Sequence, residues 1–385
     1  MTALLIIIYF AFISLGLPDG LLGSSWTVMH LDLNSSISNA GIFSMAVSVG
    51  TIISSLFCGK LTAKFGTGKL CTFSVLLTAL GLFGISTATS FQIMMIYSIP
   101  LGLGAGAVDS SLNNFVALHY KARHMNWLHT CWGIGATAGP IIMSGFLVKQ
   151  NIWRLGYLTF ALIQFSLVIL LFSTLKLWKP ENCENERENE KANNLTLKTL
   201  ISIPGAKASF LVFFCYCSME NIIGLWGSSY LVFTKAIPPQ TAAQWVGYYY
   251  LGITLGRLIM GFLSFHFDDD KRITGGNVFI FIGIALLFFQ KANILQMIGL
   301  IIIGFGFAPI FPAMIHSNPA KFSKENSAGI IGLQMAFAYL GITLMPPLFG
   351  YVAKSLTFNL LPYVILLFTL IQIGSLKILI NKTKS

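Results

Sequence analysis

Charge is scarce in this sequence. Asp, Glu, Lys and Arg make up only 10% of its 385 residues, against about 25% in an average soluble domain. Hydrophobic residues make up 55% and the mean hydropathy is +0.76. Too little polar surface remains to cover a soluble core, so a soluble two-domain protein is excluded. Acids are scarcer than bases, 13 against 24, and no Lys or Arg precedes Lys60. Cysteine is sparse as well. Cys58, Cys71, Cys131, Cys183, Cys215 and Cys217 show no metal-ligand spacing, and Cys215 and Cys217 point to different sides of one helix. Neither a metal site nor a disulfide framework is expected. No nucleophile–base pairing or phosphate loop is present, so an enzyme is not expected, nor a cofactor. The apolar N-terminus has no basic leader and no clear cleavage site, and reads as a retained first helix.

What is there is a series of long apolar runs. A membrane-crossing helix needs ~20 apolar residues. Runs of that kind lie near 3–28, 37–58, 69–89, 91–118, 126–149, 153–177, 208–233, 243–266, 275–290, 293–318, 326–352 and 357–381. The expected fold is an all-α integral membrane protein with about twelve transmembrane helices in two pseudo-symmetric six-helix halves. The N-terminal half covers 1–178, a linker 179–204, and the C-terminal half 205–385. The charged stretch Lys179–Lys198 reads as a solvated connector. With both termini cytoplasmic, the outer loops hold only Lys149, Arg154, Lys235, Lys291 and Lys354 of the 24 Lys and Arg. That bias orients the chain. It also accounts for the net charge of +11, because inner-leaflet headgroups are anionic; nucleic acid is not an expected partner. Asn34 and Asn194 match the glycosylation pattern, but one would lie close to the membrane and the other in the cytoplasm, so both are discounted.

The stretch Gly16–Trp26 places one carboxylate, Asp19, inside the first apolar run. An ionised acid in hydrocarbon is expensive and persists where it faces a bundle interior or a water-filled path. The stretch returns as Met219–Tyr230: Asp19 and Gly23 match Glu220 and Gly224, 201 residues on. Gly102-Leu-Gly104-Ala-Gly106 similarly matches Gly304-Phe-Gly306, and Gly139-Pro140 loosely echoes Pro346-Pro347. Two parallel repeats are a transporter architecture, with substrate between the halves near the midplane. Asp109 follows the first glycine ladder, and Asn113, four residues on, shares its helix face. Such a pair can bind sugar hydroxyls or serve as an internal polar contact. The glycines there lie within one apolar span, which excludes a dinucleotide loop. Tyr216, Glu220 and Gly224 share a face, Trp26 lies seven residues after Asp19, and Trp132 three after His129. An aromatic plane beside an acid suits a sugar ring; packing is the alternative for each. Arg257 can pair with an acid, snorkel or bind an anion. Asp268-Asp269-Asp270 beside Lys271-Arg272 reads as a solvated, self-compensated loop.

The chain resembles the major facilitator superfamily. Gly59-Lys-Leu-Thr-Ala-Lys64-Phe-Gly66-Thr-Gly-Lys69 is similar to that family's loop signature between helices two and three, with Ala63 where an acid is usual. Gly135-Ala-Thr-Ala-Gly139-Pro140 is similar to its fifth-helix glycine-proline motif. Within the superfamily the chain resembles the fucose permease branch of sugar:proton symporters. That likeness rests on Asp19, on Asp109 with Asn113, on Asn126-Trp-Leu-His129, and on Gly306-Phe-Ala-Pro309-Ile-Phe-Pro312. The fourth-helix acid is Asp109 where that branch leads one to expect Glu, so substrate preference can differ.

The resemblance implies Asp19 and Asp109 as substrate-binding and proton-coupling acids. The residues themselves add Glu220 to the proton-coupling set, and Asn113, Trp26, Tyr216, Glu220 and Trp132 to the substrate site. Gly59, Lys64 and Gly66 belong to the gating loop. The expected protein is a monomeric secondary transporter of the cytoplasmic membrane, importing a sugar with protons. The alternative is proton-coupled export of amphiphilic drugs or metabolites. Its expected partners are the small substrate, protons and the bilayer.

Overall fold

The computed structural model describes residues 2–120, 122–148, 152–178, 197–263, 266–289 and 293–383. Most of the expected linker, with Cys183 and Asn194, lies outside the described residues. So do Lys149 and Lys291 of the expected outer loops. Every extended element among the described residues is a helix: α1 Thr2–Gly16, α2 Leu21–Asp32, α3 Asn39–Phe65, α4 Thr67–Thr87, α5 Phe91–His119, α6 Ala122–Phe146, α7 Trp153–Ser173, a short α8 Leu197–Ser202, α9 Ala206–Lys235, α10 Pro239–Leu263, α11 Asp269–Leu287, α12 Asn293–Phe307, α13 Ile310–Phe322, α14 Lys324–Ser355 and α15 Leu361–Thr383. Taken as interrupted spans, α1–α2 and α12–α13 bring the long helices to twelve among the described residues. Among the described residues, nine candidate spans are long and apolar enough to cross a membrane by length and composition alone. The protein is thus a multi-pass, all-α membrane protein.

Two spans expected to be continuous are broken. The first turns at Leu17–Gly20, around Pro18. The tenth turns at Ala308-Pro309. Proline lacks the N–H that would continue the ladder and crowds the carbonyl four residues back. The span expected at 275–290 begins earlier, at Asp269, and its first turn carries Asp269 and Asp270, where acids favour the helix N-terminus.

Close helix packing rests on glycine, because small residues let backbones approach. In the ladder of α5, a Cβ on Gly102 or Gly106 would run into the α3 carbonyls of Val47 or Thr51, and one on Gly104 into the α4 carbonyl of Ser74. The Thr51 and Ser55 hydroxyls donate to the Gly102 and Gly106 carbonyls, each at 3.2 Å. In α11 and α12, Gly276 and Gly306 face one another in the same way.

By packing, the chain divides into two compact units. One gathers Met1–Glu181, Gly224–Tyr250 and Pro346–Phe358; the other gathers Asn182–Ile223, Leu251–Met345 and Asn359–Ser385. Helices α9, α10 and α14 therefore give a segment to each.

Candidate functional site

The first unit's polar site grows out of the broken first span. Pro18 has no N–H to donate to the Ser14 carbonyl, so a carbonyl inside the membrane loses its helical partner. The amide of Gln164 in α7 supplies the substitute, Nε2 donating to the Ser14 carbonyl at 2.8 Å. Gln164 is buried. The chain then turns through Asp19, whose N–H donates back to the Gly16 carbonyl at 3.1 Å. The break places the Asp19 side chain at an exposed position.

Trp132 in α6 meets that carboxylate, its Nε1 donating to Asp19 Oδ2 at 2.6 Å. Glycine makes the approach feasible. A Cβ on Gly16 would overlap the Trp132 carbonyl, one on Gly135 the Ile13 carbonyl, and one on Gly139 the Leu17 carbonyl. The Gly135–Gly139 motif is therefore the surface on which the broken helix rests. Tyr250 completes the surroundings: its ring stands edge-on to Trp132, centroids 6.5 Å apart at 81°. A Cβ on Gly20 would strike Pro140 and the Tyr250 ring. Lower on the α1–α6 pair, the Tyr9 hydroxyl and His124 Nδ1 lie 2.9 Å apart, and Phe12 stands edge-on to His129 at 6.0 Å.

Asp109 and Asn113 form a second polar pair in the same unit, Asn113 Nδ2 donating to Asp109 Oδ1 at 2.9 Å. Both are half-buried on one face of α5. Trp26 lies beyond the break in α2 and is fully buried. Its Nε1 donates to the Ile37 carbonyl at 2.6 Å, and its ring packs edge-on against Phe91.

The second unit holds Tyr216, Glu220 and Arg257. The Tyr216 hydroxyl donates to Glu220, and Arg257 lies within electrostatic reach of the same hydroxyl. The Tyr216 ring is buried and stands edge-on to Phe307, centroids 5.6 Å apart, with Phe311 at 6.3 Å. It therefore packs against residues on both sides of the Ala308-Pro309 break.

The loop residues are placed by backbone chemistry. Gly59 lies exposed on α3, and Lys64 in its last turn sits over the Phe65 ring. Gly66 joins α3 to α4 at φ +77° and ψ +151°, a region essentially restricted to glycine. The acids at 268–270 are tied down further than a solvated loop requires. Asp269 pairs with Arg272 and with His316 of α13, at 2.7 Å for the latter. Asp270 pairs with Lys321, beside a cavity of about 300 Å³. No group of three or more metal-ligating side chains occurs among the described residues.

Gln164 and Tyr250 are the residues that sequence reasoning passed over. Gln164 is a lone amide in an apolar span, and Tyr250 ends a run of three tyrosines.

The sequence model of the Major Facilitator Superfamily matches residues 8–315 and 208–384. The chain is 24% identical over 347 residues to bypass of stop codon protein 6 of Saccharomyces cerevisiae, covering 81% of this chain and 69% of that one. It is 24% identical over 352 residues to the glucose/mannose transporter GlcP of Bacillus subtilis, covering 87% and 83%. Among solved structures, a D-xylose-proton symporter superposes with a TM-score of 0.79 at 12% identity, covering 100% of this chain and 98% of that one. A nucleoside transporter superposes at 0.76 with 14% identity, covering 98% and 99%. These likenesses show the fold.

Proposed function

The chain belongs to the major facilitator superfamily, a family of transporters, and on that premise we propose that it imports a monosaccharide, a hexose or deoxyhexose, together with protons. The observation that carries the reading is the Asp19 carboxylate in the broken first span, held by the Trp132 indole with Tyr250 beside it. A carboxylate accepts paired hydrogen bonds from vicinal hydroxyls, and aromatic planes suit the apolar face of a sugar ring. The Trp132 indole donates to one oxygen of that carboxylate. Discontinuous helices are where transporters of this kind build their sites. Relatives that are named as sugar transporters support the same substrate class.

Asp109 is the second acid of the reading. Asn113 holds it on α5. Proton binding at one acid and sugar binding at the other would then favour the same state of the carrier. Glu220 with Tyr216 is the corresponding polar group of the second repeat. The expected gating loop narrows to the α3–α4 connection at Gly66, with Gly59 and Lys64 on the last turns of α3. The protein works as a monomer in the cytoplasmic membrane with both termini inside, in keeping with the placement of its Lys and Arg. The same acids support a likeness to the fucose permease branch, with Asp109 where that branch leads one to expect Glu.

The test is proton movement in proteoliposomes on adding D-glucose, D-mannose, L-fucose or D-xylose. Alkalinisation outside inward-transporting vesicles is expected with at least one sugar and is lost in Asp19→Asn. Asp109→Asn is expected to lose proton-driven accumulation while retaining sugar exchange. Proton release driven by an amphiphilic cation, with no sugar response, would replace import by export.

A further inference from the structure

We infer that Gln164 is a positioning residue for Asp19, standing in for the backbone donor that Pro18 cannot supply. The inference rests on the reading of Asp19 as the acid of the transport cycle, and adds a residue on α7, the helix after the one that carries Trp132.

The chemistry is a matter of one carbonyl. In an unbroken helix the Ser14 oxygen would accept from the N–H of residue 18. Residue 18 is proline, and the segment lies in an apolar run where no bulk water replaces the lost partner. An unpaired buried carbonyl there favours any movement of the chain that finds a donor. Gln164 Nε2 provides one from α7 at 2.8 Å. Ser14 and Gln164 are both almost fully buried, at 4% and 2% exposure, so the bond forms away from solvent competition. The last turn of α1 is thereby pinned between two neighbours. Gln164 holds the Ser14 carbonyl on the α7 side, and Gly135 and Gly139 receive the Ile13 and Leu17 carbonyls on the α6 side. Asp19 follows within two residues of that clamp, and its carboxylate meets Trp132 on α6. Losing the Gln164 bond frees the one side of the turn that glycine packing does not fix.

Two features separate this role from ordinary packing. The amide must donate, so shape alone does not suffice. Its need also depends on Pro18: with an N–H at residue 18, the Ser14 carbonyl has its own helical partner.

The experiment reads Trp132 fluorescence in the purified full-length protein, as a difference against Trp132→Phe, with no substrate present. Asp19→Asn is expected to shift the emission of Trp132, because the indole loses its charged acceptor. Gln164→Leu is expected to reproduce that shift. Gln164→Glu reproduces it at alkaline pH, where the carboxylate cannot donate, and returns toward the native spectrum on acidification, where the protonated acid donates. In a Pro18→Ala background, Gln164→Leu adds no further change, the signature of coupled residues. In the sugar assay, Gln164→Leu lowers proton-driven uptake about tenfold, in proportion to a lost buried hydrogen bond, and Gln164→Glu recovers on acidification.

A Trp132 emission that answers to Asp19→Asn but not to Gln164→Leu or to pH in Gln164→Glu overturns the inference. If Gln164→Leu does not fold, the pH response of Gln164→Glu decides alone. Failure of every sugar in the panel with the expected Trp132 pattern intact removes the sugar-import reading and leaves Gln164 as the residue that positions Asp19.

Discussion

At the scale of single residues, the site is defined by which polar atoms find partners inside an apolar chain. Asp19 is legible in the sequence because it is an acid in a run with no nearby base. Its partner Trp132 is 113 residues away, and no local pattern links the two. The prediction at this scale concerns the indole N–H. Trp132→Phe keeps an aromatic ring beside Tyr250 and removes the bond to Asp19. A hydrogen bond to a charged group is worth about 1.5–3 kcal/mol when shielded, but Asp19 is exposed, so less than that applies, about 0.6–1.4 kcal/mol. The half-saturating sugar concentration is expected to rise about three- to tenfold, with sugar counterflow at saturation little changed. An unaltered half-saturation would take Trp132 out of the binding site. Trp26 carries the opposite lesson. Its spacing from Asp19 suggests a shared face only if the helix is continuous, and the turn at Leu17–Gly20 ends that continuity.

Elements are decided by backbone groups that sequence patterns barely register. The apolar periodicity of the first and tenth spans continues straight across their breaks, which is why they read as single helices. Pro18 and Pro309 are visible, but prolines are tolerated within membrane helices when neighbours re-satisfy the freed groups. Pro100 and Pro140 show this, since α5 and α6 run through them. Whether a proline breaks or merely bends a helix depends on what surrounds it. Gly66 is clearer: only glycine holds its backbone angles without strain. Gly66→Ala is expected to destabilise the α3–α4 connection by about 1–3 kcal/mol, read as a lower thermal unfolding midpoint of the purified protein. Gly59→Ala is the control, since a Cβ there meets nothing within 4 Å, and its midpoint should stay where it is.

For the whole molecule, the repeat makes a demand that the structure meets at one point. Gly23 and Gly224 are matching positions of the two repeats, and they touch: a Cβ on Gly23 would overlap the Gly224 carbonyl. We propose that, with the termini cytoplasmic, this contact lies in the outer half of the membrane and closes and parts during transport. Gly23→Val is expected to prevent that closure. Transport should fall to background while the protein remains folded. A cysteine at Ser24, buried in the native protein, should gain reactivity toward an impermeant maleimide added outside. Labelling from the inner side alone would reverse the orientation.

The sequence by itself determined the membrane class, the number of long helices and the family. Each follows from composition and from periods of hydrophobicity and glycine, which are local and additive along the chain. It also singled out Asp19, Asp109 and Glu220, because an acid in hydrocarbon stands out without knowing its neighbours. Tertiary structure alone decided that the first span breaks at Pro18, that Gln164 answers the Ser14 carbonyl, and that Trp132 and Tyr250 stand at Asp19. Hydrogen bonds and close packing between distant segments depend on orientation within a few tenths of an ångström, and that information exists only once the helices have met.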